Sequence, residues 1–577
     1  MVNCPIKTRA IALITGLLGL LALSAAAQAE IPADANIQPK GLNHAGIYAL
    51  RQLDPNLTGR GVKFAVVSRS ITYTDGKPQN DYQPAVGHNC FKNTQFSFHD
   101  LQHLPAGVSS HSTAVCSILF GRDPNAYSDR LGDFSYEGAV PDASADVYEF
   151  WSFLVNNVYP AAYPDANILT ADIGYQLDDW WTRGIESMVE RTGITAVVGI
   201  GNGSNAADPV LYPAAGDNVI GVGVVQSVNS ADVAAGLSQF ALVYPEYSSK
   251  GPTTDGRCKP DIVAPGNCLA ASPDDTNLYE PTGAWSSFAT PIVAGAAGLL
   301  IQKASQTPDL QQAVSRDGGN CVIKSLLLNS ATKLPYWHKG KLTKDDDRDV
   351  PLDWLQGAGM VNALEAHRQL SAGRHLPGDC PLTGWDLGKL DSNGSPANVY
   401  KIKVDNPAGK MLTATVTWNR HLSPAYPFDY QPQNDARIRL ECWAVDANNP
   451  EKTYLLDYSD SAKDFVEHLY YAADPNFTDY AIIVSYSNRE VNLPAITSAY
   501  GLAWNIAQKP ATDDVLWFDL NADGVFDNRD VKVLVDNLLA DLEKSDGYLF
   551  GDINGDGRID AGDLQIFLNH LKSDESR

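Results

Sequence analysis

The sequence predicts a multidomain protein. An α/β domain with a mostly parallel sheet comes first, then a β-sandwich of the jelly-roll kind and a small α module. The length of 577 residues exceeds the roughly 100 to 200 residues typical of one domain. Hydrophobic residues make up 44% of the chain and charged residues 19%, which is typical of folded cores. In the first part of the chain, strand-like apolar runs alternate with helical patterns. In the second part, strand-like runs occur with almost no helical pattern. The last part is acidic and consists of two similar segments.

These changes in pattern set the predicted boundaries. The first domain alternates buried strands such as Val62–Val67 and Ile168–Ile173 with small-residue helices such as Thr290–Ile301. Alternating strands such as Tyr400–Val404 and Leu412–Trp418 follow, with almost no helical signal. The predicted segments are a signal peptide at 1–29, an N-terminal segment at 30–42, the α/β domain at 43–370, the β-sandwich at 380–507 and the module at 514–573.

The N-terminus has the pattern of a secretory signal. Two basic residues, Lys7 and Arg9, precede the apolar stretch Ala10–Leu23, and Ala27-Gln28-Ala29 completes a cleavage site before Glu30. The apolar stretch is shorter than the roughly 20 residues that span a bilayer, and we expect no membrane span in the mature chain. The sequence therefore predicts a secreted, extracellular protein.

The net charge indicates which partners the protein can bind, and the number of cysteines indicates whether all of them can form disulfide bonds. The formal net charge of −25 disfavours nucleic acid, whose phosphates require a basic surface. Removal of the signal leaves seven cysteines, so we expect at least one unpaired thiol. Cys258 and Cys268 are close enough in sequence to close a loop, and a disulfide or two separate buried thiols both fit that spacing.

Three polar residues stand where buried segments meet turns or helix starts. His111 opens the small and apolar run that follows it, and Asn202 follows a buried strand in a glycine turn. Ser287 precedes a small-residue helix, where the dipole and free N–H groups stabilise negative charge. Each residue alone is compatible with capping or turn formation.

Together, and in this order, the three residues resemble the subtilisin family of serine proteases. Ser286-Ser287-Phe288-Ala289-Thr290-Pro291 is similar to the family's nucleophile signature, His111-Ser112-Thr113 to its histidine motif, and Gly201-Asn202 to its oxyanion motif. The resemblance extends through Lys259-Pro260-Asp261 to Gly357-Ala358-Gly359. It implies a subtilisin-like serine endopeptidase acting on peptides or proteins, with Ser287 as nucleophile, His111 as general base and Asn202 as oxyanion donor.

One position departs from the family pattern where the catalytic aspartate is expected. The first strand ends in Val66-Val67-Ser68, so Ser68 occupies the aspartate position. Loss of this aspartate in subtilisin lowers turnover about 3 × 10⁴-fold, which leaves a slow enzyme. Asp75 in a shifted register, or Asp172 on a neighbouring strand, is a candidate replacement. Asp172 alternatively tunes the first specificity pocket or serves structure alone. The expectation is a peptidase of low activity, and the alternative is an inactive pseudoprotease that binds peptides or partners.

The C-terminal module contains two copies of a calcium-loop pattern. Oxygen-bearing side chains at loop positions 1, 3, 5, 9 and 12, with glycine at position 6, are the ligand spacing that selects Ca²⁺. The predicted ligands are Asp519, Asn521, Asp523, the Val525 carbonyl, Asp527 and Asp530 in the first loop, and Asp552, Asn554, Asp556, the Arg558 carbonyl, Asp560 and Asp563 in the second.

Each loop leads into an amphipathic pattern, Val531–Leu539 and Leu564–Leu571, without a full helix before it. This loop-helix duplication resembles a type I dockerin, an EF-hand-like module. The resemblance implies two Ca²⁺ ions as cofactors and a cohesin-bearing protein as partner. A calcium-stabilised cap without a partner is the alternative.

Overall fold

The computed structural model describes most of the chain between residues 37 and 508 and short parts of the C-terminal module. The described residues are 37–69, 73–75, 77–78, 80–101, 106–128, 131–174, 179–203, 211–227, 240–242, 248–334, 337–340, 347–446, 449–487, 498–508, 531–532, 534–535, 538 and 560–574. The predicted signal peptide, the first calcium loop and most of the second loop lie outside these residues.

Nine helices are described in these residues. They are α1 (Lys40–His44), α2 (Ile47–Leu53), α3 (Ser110–Phe120), α4 (Phe150–Phe153), α5 (Trp180–Thr192), α6 (Ser286–Gln306), α7 (Gly319–Asn329), α8 (Ala363–Ser371) and α9 (Ala561–Asp574). Short helices of other types span Asn89–Phe91, Leu154–Val158, Pro308–Val314 and Pro432–Asn434.

The strands fall into two groups along the chain. Those before residue 282 are β1 (Ile37–Gln38), β2 (Lys63–Ser68), β3 (Tyr73–Thr74), β4 (Lys77–Pro78), β5 (Asp81–Gln83), β6 (Phe96–His99), β7 (Gly107–Val108), β8 (Arg122–Ser128), β9 (Gly132–Glu137), β10 (Ser144–Glu149), β11 (Ile168–Ala171), β12 (Thr195–Gly199), β13 (Ile220–Ser227), β14 (Phe240–Leu242), β15 (Ile262–Pro265), β16 (Leu269–Ala271) and β17 (Tyr279–Pro281). Those after residue 377 are β18 (Gly378–Cys380), β19 (Thr383–Leu390), β20 (Ala397–Lys403), β21 (Lys410–Trp418), β22 (Ile438–Asp446), β23 (Asn449–Ser459), β24 (Val466–Ala472), β25 (Asp479–Tyr486) and β26 (Ser498–Gln508).

An eight-stranded sheet forms the centre of the first domain. Its order is β14-β13-β12-β11-β2-β10-β6, with β15 also paired to β13, and the pairs are parallel except β13 with β14. Helices cover both faces, as the continuous apolar runs of buried parallel strands require. Phe64 and Val66 share a core with α3 and α6, whereas Ala65 and Val67 share one with α5. The predicted α/β fold with a mostly parallel sheet is confirmed.

Two further sheets pack against each other after residue 377. Their orders are β18-β20-β25-β22-β23 and β19-β26-β21-β24, and both contribute to one core that contains Tyr400, Trp418 and Trp504. This two-sheet unit rests on α7 of the first domain. The Ser325 hydroxyl donates to the Gly501 carbonyl at 2.8 Å, and a Cβ on Gly501 would lie 2.4 Å from the Cys321 backbone. Glycine at 501 is therefore what permits this close approach.

All seven described cysteines are free thiols. Six are buried and Cys380 is half-buried, so Cys258 and Cys268 form no bridge with each other. Burial raises the pKa of the Cys268 and Cys321 thiols to about 12. Of the two arrangements that the spacing of Cys258 and Cys268 left open, the structure has the separate buried thiols. Across the described part of the chain, no helix combines the length and apolar character that crossing a bilayer demands.

Candidate active site

The carboxyl ends of four neighbouring strands bring the predicted site residues to one edge of the sheet. Ser68 ends β2, and Asp172 directly follows β11. Asn202 lies three residues after the end of β12, and Glu149 ends β10 on the other side of β2. Because parallel strands end at the same edge, this edge is where α/β proteins commonly place a site.

His111 is the second residue of α3. The helix starts because the Ser109 hydroxyl caps it, accepting from the Ser112 backbone N–H at 3.2 Å. The imidazole lies against Phe288 of α6, with ring centroids 5.6 Å apart, and has no hydrogen-bond partner among the described residues. Burial lowers the pKa of His111 to about 4. The ring is therefore neutral at neutral pH, which is the form that accepts a proton.

Ser287 is the second residue of α6 and is 6% exposed. The first N–H groups of a helix have no partner within the helix, so the hydroxyl of Ser287 lies beside free backbone donors. The positive end of the helix dipole adds to their stabilisation of negative charge. Because Phe288 follows Ser287 directly, the contact of Phe288 with His111 brings the starts of α3 and α6 together.

A hydrogen-bonded junction holds Asn202 to the start of α6. The Asn202 Oδ1 accepts from the Ser286 backbone N–H at 2.7 Å and from the Ser286 hydroxyl at 3.0 Å. A backbone N–H can only donate, so the oxygen of the Asn202 amide must face Ser286. The Nδ2 group then points away from Ser286 as a donor without a partner among the described residues. That orientation is the one an oxyanion donor requires.

Ser286 is a residue of the candidate site whose contacts sequence reasoning missed. Its hydroxyl also accepts from the Gly201 N–H at 3.2 Å, so one side chain ties the Gly201-Asn202 turn to α6. Ser286 and Asn202 are 84 positions apart. In the sequence Ser286 was visible only as a departure from the residue usual beside the nucleophile.

Ser68 and the two candidate replacement carboxylates occupy different environments. Ser68 is 3% exposed, and its hydroxyl has no partner among the described residues. Asp75 is exposed in the turn between β3 and β4, with a φ of 49°, and not at the end of β2. Both carboxyl oxygens of Asp172 expose less than 1 Å² and lack partners among the described residues. Burial raises the pKa of Asp172 well above its ordinary value.

Glu149 is a third carboxylate beside Ser68, and the sequence did not single it out. Its residue pairs with Ser68 across β10 and β2, and its side chain is buried. The Oε2 atom accepts from the Ser152 backbone N–H at 2.8 Å and so caps α4. Only the register between β10 and β2 brings Glu149 beside Ser68. This register is a property of the folded sheet and gives no local signal in the sequence.

Two of the predicted calcium ligands, Asp560 and Asp563, lie within the described residues. They stand at the start of α9, where the Asp563 Oδ2 accepts from the Asp560 N–H at 2.8 Å and Asp563 is fully buried. The other ten predicted ligands lie outside. Within the described parts of the chain, no group of three or more His, Cys, Asp or Glu side chains is placed to hold a metal ion.

A histidine and a serine at adjoining helix starts, beside an oriented asparagine amide, define a site of the serine-peptidase type. The model of the subtilase family, Peptidase_S8, matches residues 59–359, and the chain belongs to that family. The match lies inside the predicted domain at 43–370.

Two curated relatives illustrate the range of similarity. Serine protease AprX of Bacillus subtilis is 26% identical over 333 residues, which cover 53% of this chain and 66% of AprX. Pyrolysin of Pyrococcus furiosus is 27% identical over 409 residues, covering 56% of this chain and 26% of pyrolysin. The chain thus spans less than two thirds of each relative. Among solved structures, the PatG macrocyclase in complex with peptide aligns with a TM-score of 0.38 at 16% identity, covering 58% of this chain and 98% of that one.

Proposed function

We propose that the protein is a secreted serine endopeptidase that acts on peptide or protein substrates. The observation that carries the proposal is the junction in which Ser286 holds the Asn202 amide oxygen. This junction fixes the oxyanion donor relative to the nucleophile, since Ser287 is the next residue of the same helix. Secretion rests on the predicted signal peptide at 1–29.

The chemistry follows from the donors and acceptors at the edge of the sheet. Neutral His111 takes the hydroxyl proton as the Ser287 Oγ bonds to the substrate carbonyl carbon, and the carbonyl electron pair moves onto oxygen. The Asn202 Nδ2 and the Ser287 N–H bind that oxyanion. His111 then protonates the leaving amine as the C–N bond breaks. Water then bonds to the acyl carbon as His111 takes its proton, and His111 returns that proton to the Ser287 Oγ as the acyl C–O bond breaks.

A fluorophosphonate probe tests whether the site is chemically competent. We expect covalent labelling of the purified protein that Ser287→Ala abolishes, whereas the matched control Ser305→Ala, at an exposed serine of the same helix, should retain it. Absence of labelling in the folded protein, with Ca²⁺ present, would instead support the peptide-binding pseudoprotease. With Ser68 in the aspartate position, we expect slow labelling that Ser68→Asp accelerates.

We further propose that the C-terminal parts of the chain display the peptidase on a partner. The strand orders after residue 377 support a jelly-roll domain, and the duplicated loops support a dockerin that binds two Ca²⁺ ions and a cohesin. Hard oxygen donors such as Asp560 and Asp563 fit Ca²⁺. Calorimetric titration of the EGTA-treated full chain tests this proposal. Two sites are expected, and Asp563→Ala should remove one, while an exposed aspartate control, Asp165→Ala, should remove none.

A further inference from the structure

The Asp172 carboxyl is the most isolated ionisable group near the candidate site. The residue as a whole is half-buried, yet both of its carboxyl oxygens are closed to solvent and lack partners among the described residues. A buried carboxyl without a hydrogen bond costs folding free energy. Such a group near reacting residues indicates a role in the chemistry, because the fold itself gains nothing from it.

Sheet register places Asp172 beside the position that lacks its carboxylate. Thr170 pairs with Val66, and Ala171 pairs with Val67, so the next residues in the same register are Asp172 and Ser68. Neighbouring strands lie about 5 Å apart, and paired residues of parallel strands point to the same face. The Asp172 carboxyl therefore lies one strand away from position 68, where the family pattern has its aspartate.

The face that Asp172 shares with Ser68 is the face that carries the site. Residues 64 and 66 of β2, which alternate with Ser68, pack in the same core as α3 and α6, the helices of His111 and Ser287. Burial and, to a smaller extent, the charge of Asp172 raise the pKa of the Cys116 thiol on α3, which agrees with this placement. Asp172 thus faces the helix that holds His111.

We propose that Asp172 is the positioning residue that orients His111, supplying from β11 the carboxylate that Ser68 does not supply from β2. This inference rests on the proposed function and deepens it. In the reactive arrangement the Asp172 carboxylate accepts the Nδ1–H of His111, and Nε2 receives the Ser287 proton.

Two other assignments fit the structure less well. A role for Asp172 in an open specificity pocket requires carboxyl oxygens that a substrate side chain can reach, and both oxygens are shielded. Glu149 flanks Ser68 from the other strand, but its carboxylate already caps α4 through the Ser152 N–H. Glu149→Gln is therefore the matched control.

The rate of fluorophosphonate labelling separates these roles. Asp172→Asn should slow labelling about 10³- to 10⁴-fold, whereas Glu149→Gln should change it less than about threefold, since amide and carboxylate both cap. Adding Ser68→Asp to Asp172→Asn should recover at least tenfold, because the carboxylate returns to the other strand. Circular dichroism and thermal unfolding verify that each variant is folded. Unchanged labelling of Asp172→Asn, or no recovery in the double variant, overturns the proposal.

The imidazole titration of His111 gives a readout that does not depend on activity. The charged and ionisable neighbours in this region are Asp172, Cys116 and Glu149. If Asp172 pairs with His111, the pair titrates together, and the NMR signals absent in His111→Gln should move at a higher pH in the wild type than in Asp172→Asn. In Asp172→Asn burial alone should act on the imidazole, which lowers its pKa relative to that of the paired ring.

A titration that is identical in wild type and Asp172→Asn contradicts the pairing. If the probe does not label the protein but the His111 titration differs between wild type and Asp172→Asn, the inferred pair is supported and the proposed peptidase function is contradicted. The two proposals therefore fail separately.

Discussion

At the scale of the residue, the Asn202 amide has two separable functions. Its oxygen receives two hydrogen bonds from Ser286, and its nitrogen remains available to an oxyanion. In the proposed mechanism the oxygen stabilises the turn, and the nitrogen donates to the oxyanion. Substitutions that remove one function at a time distinguish them.

Asn202→Asp keeps the acceptor and removes the donor. We expect it to lower kcat about 10²- to 10³-fold, the usual effect of losing one oxyanion donor, with thermal stability close to wild type. Asn202→Leu removes both functions and should lose stability as well as turnover. Peptidase assays and melting curves on the same preparations make the comparison. Equal turnover of Asn202→Asp and wild type would remove Asn202 from the reaction.

Asp464 provides a second prediction at this scale. Its buried carboxyl accepts from the Cys258 N–H and the Ser461 hydroxyl, each at 2.7 Å, and burial raises its pKa to about 6. The folded protein holds this proton more tightly than the unfolded chain. The associated stability is therefore present below pH about 4 and is lost as the pH rises through 6, in total about 3 kcal/mol.

Urea unfolding at several pH values tests this sign. Asp464→Asn should be more stable relative to wild type at pH 7 than at pH 4, and the exposed control Asp429→Asn should show no such trend. A wild-type stability that rises between pH 4 and 7 by the same amount in Asp464→Asn would contradict the assignment.

At the scale of the element, α6 packs closely through its glycines. A Cβ at Gly295 would lie 2.2 Å from the Cβ of Ala139, and one at Gly298 would lie 2.9 Å from the Phe64 ring. Glycine costs a helix about 1 kcal/mol relative to alanine. The two glycines allow α6 to pack closely against both Phe64 of the sheet and Ala139 in the turn after β9.

Gly295→Ala should therefore destabilise the protein although it favours the isolated helix. We expect a net loss of about 1 to 3 kcal/mol from overpacking, measured by chemical unfolding. Gly87→Ala is the control, since a Cβ there meets no atom within 4 Å. A stabilised Gly295→Ala variant would show that the turn containing Ala139 moves aside easily.

The sequence predicted these elements better than the contacts between them. Apolar runs and small-residue patterns placed β2, β11 and α6 within a few residues of their observed bounds, because period and composition are local properties. The residues that flank Ser68 in the folded protein could not be predicted from local period and composition. Glu149 and Asp172 flank it only through strand order and register, and Ser286 reaches Asn202 only through tertiary packing.

At the scale of the whole molecule, buried charges join the first domain to the two-sheet unit. Arg420, which follows β21, lies 3.4 Å from Glu186 of α5 and 3.5 Å from Asp217. The Asn218 side chain adds a hydrogen bond to the Arg420 carbonyl at 2.9 Å. Sequence analysis predicted a second unit, but charge pairing across more than 200 positions gave no local signal.

Arg420→Ala should lower the free energy of unfolding by about 3 to 5 kcal/mol, because it leaves the buried Glu186 carboxylate without its paired cation, whereas Asp217 keeps its ion pair with Arg257. Arg60→Ala removes an exposed pair with Asp142 and should cost less than about 1 kcal/mol. Differential scanning calorimetry makes the comparison. Two well-separated transitions in the wild type would show that the units unfold independently and would contradict the expected coupling.

The free thiols carry a practical consequence for handling this molecule. No described cysteine is cross-linked, so we expect the described fold to need no oxidant to form. The same thiols act as internal reporters. Cys116 lies on the helix of His111, and Cys321 lies beneath the second unit. Timed alkylation followed by mass spectrometry would therefore record the order in which the active-site helix and the domain junction open.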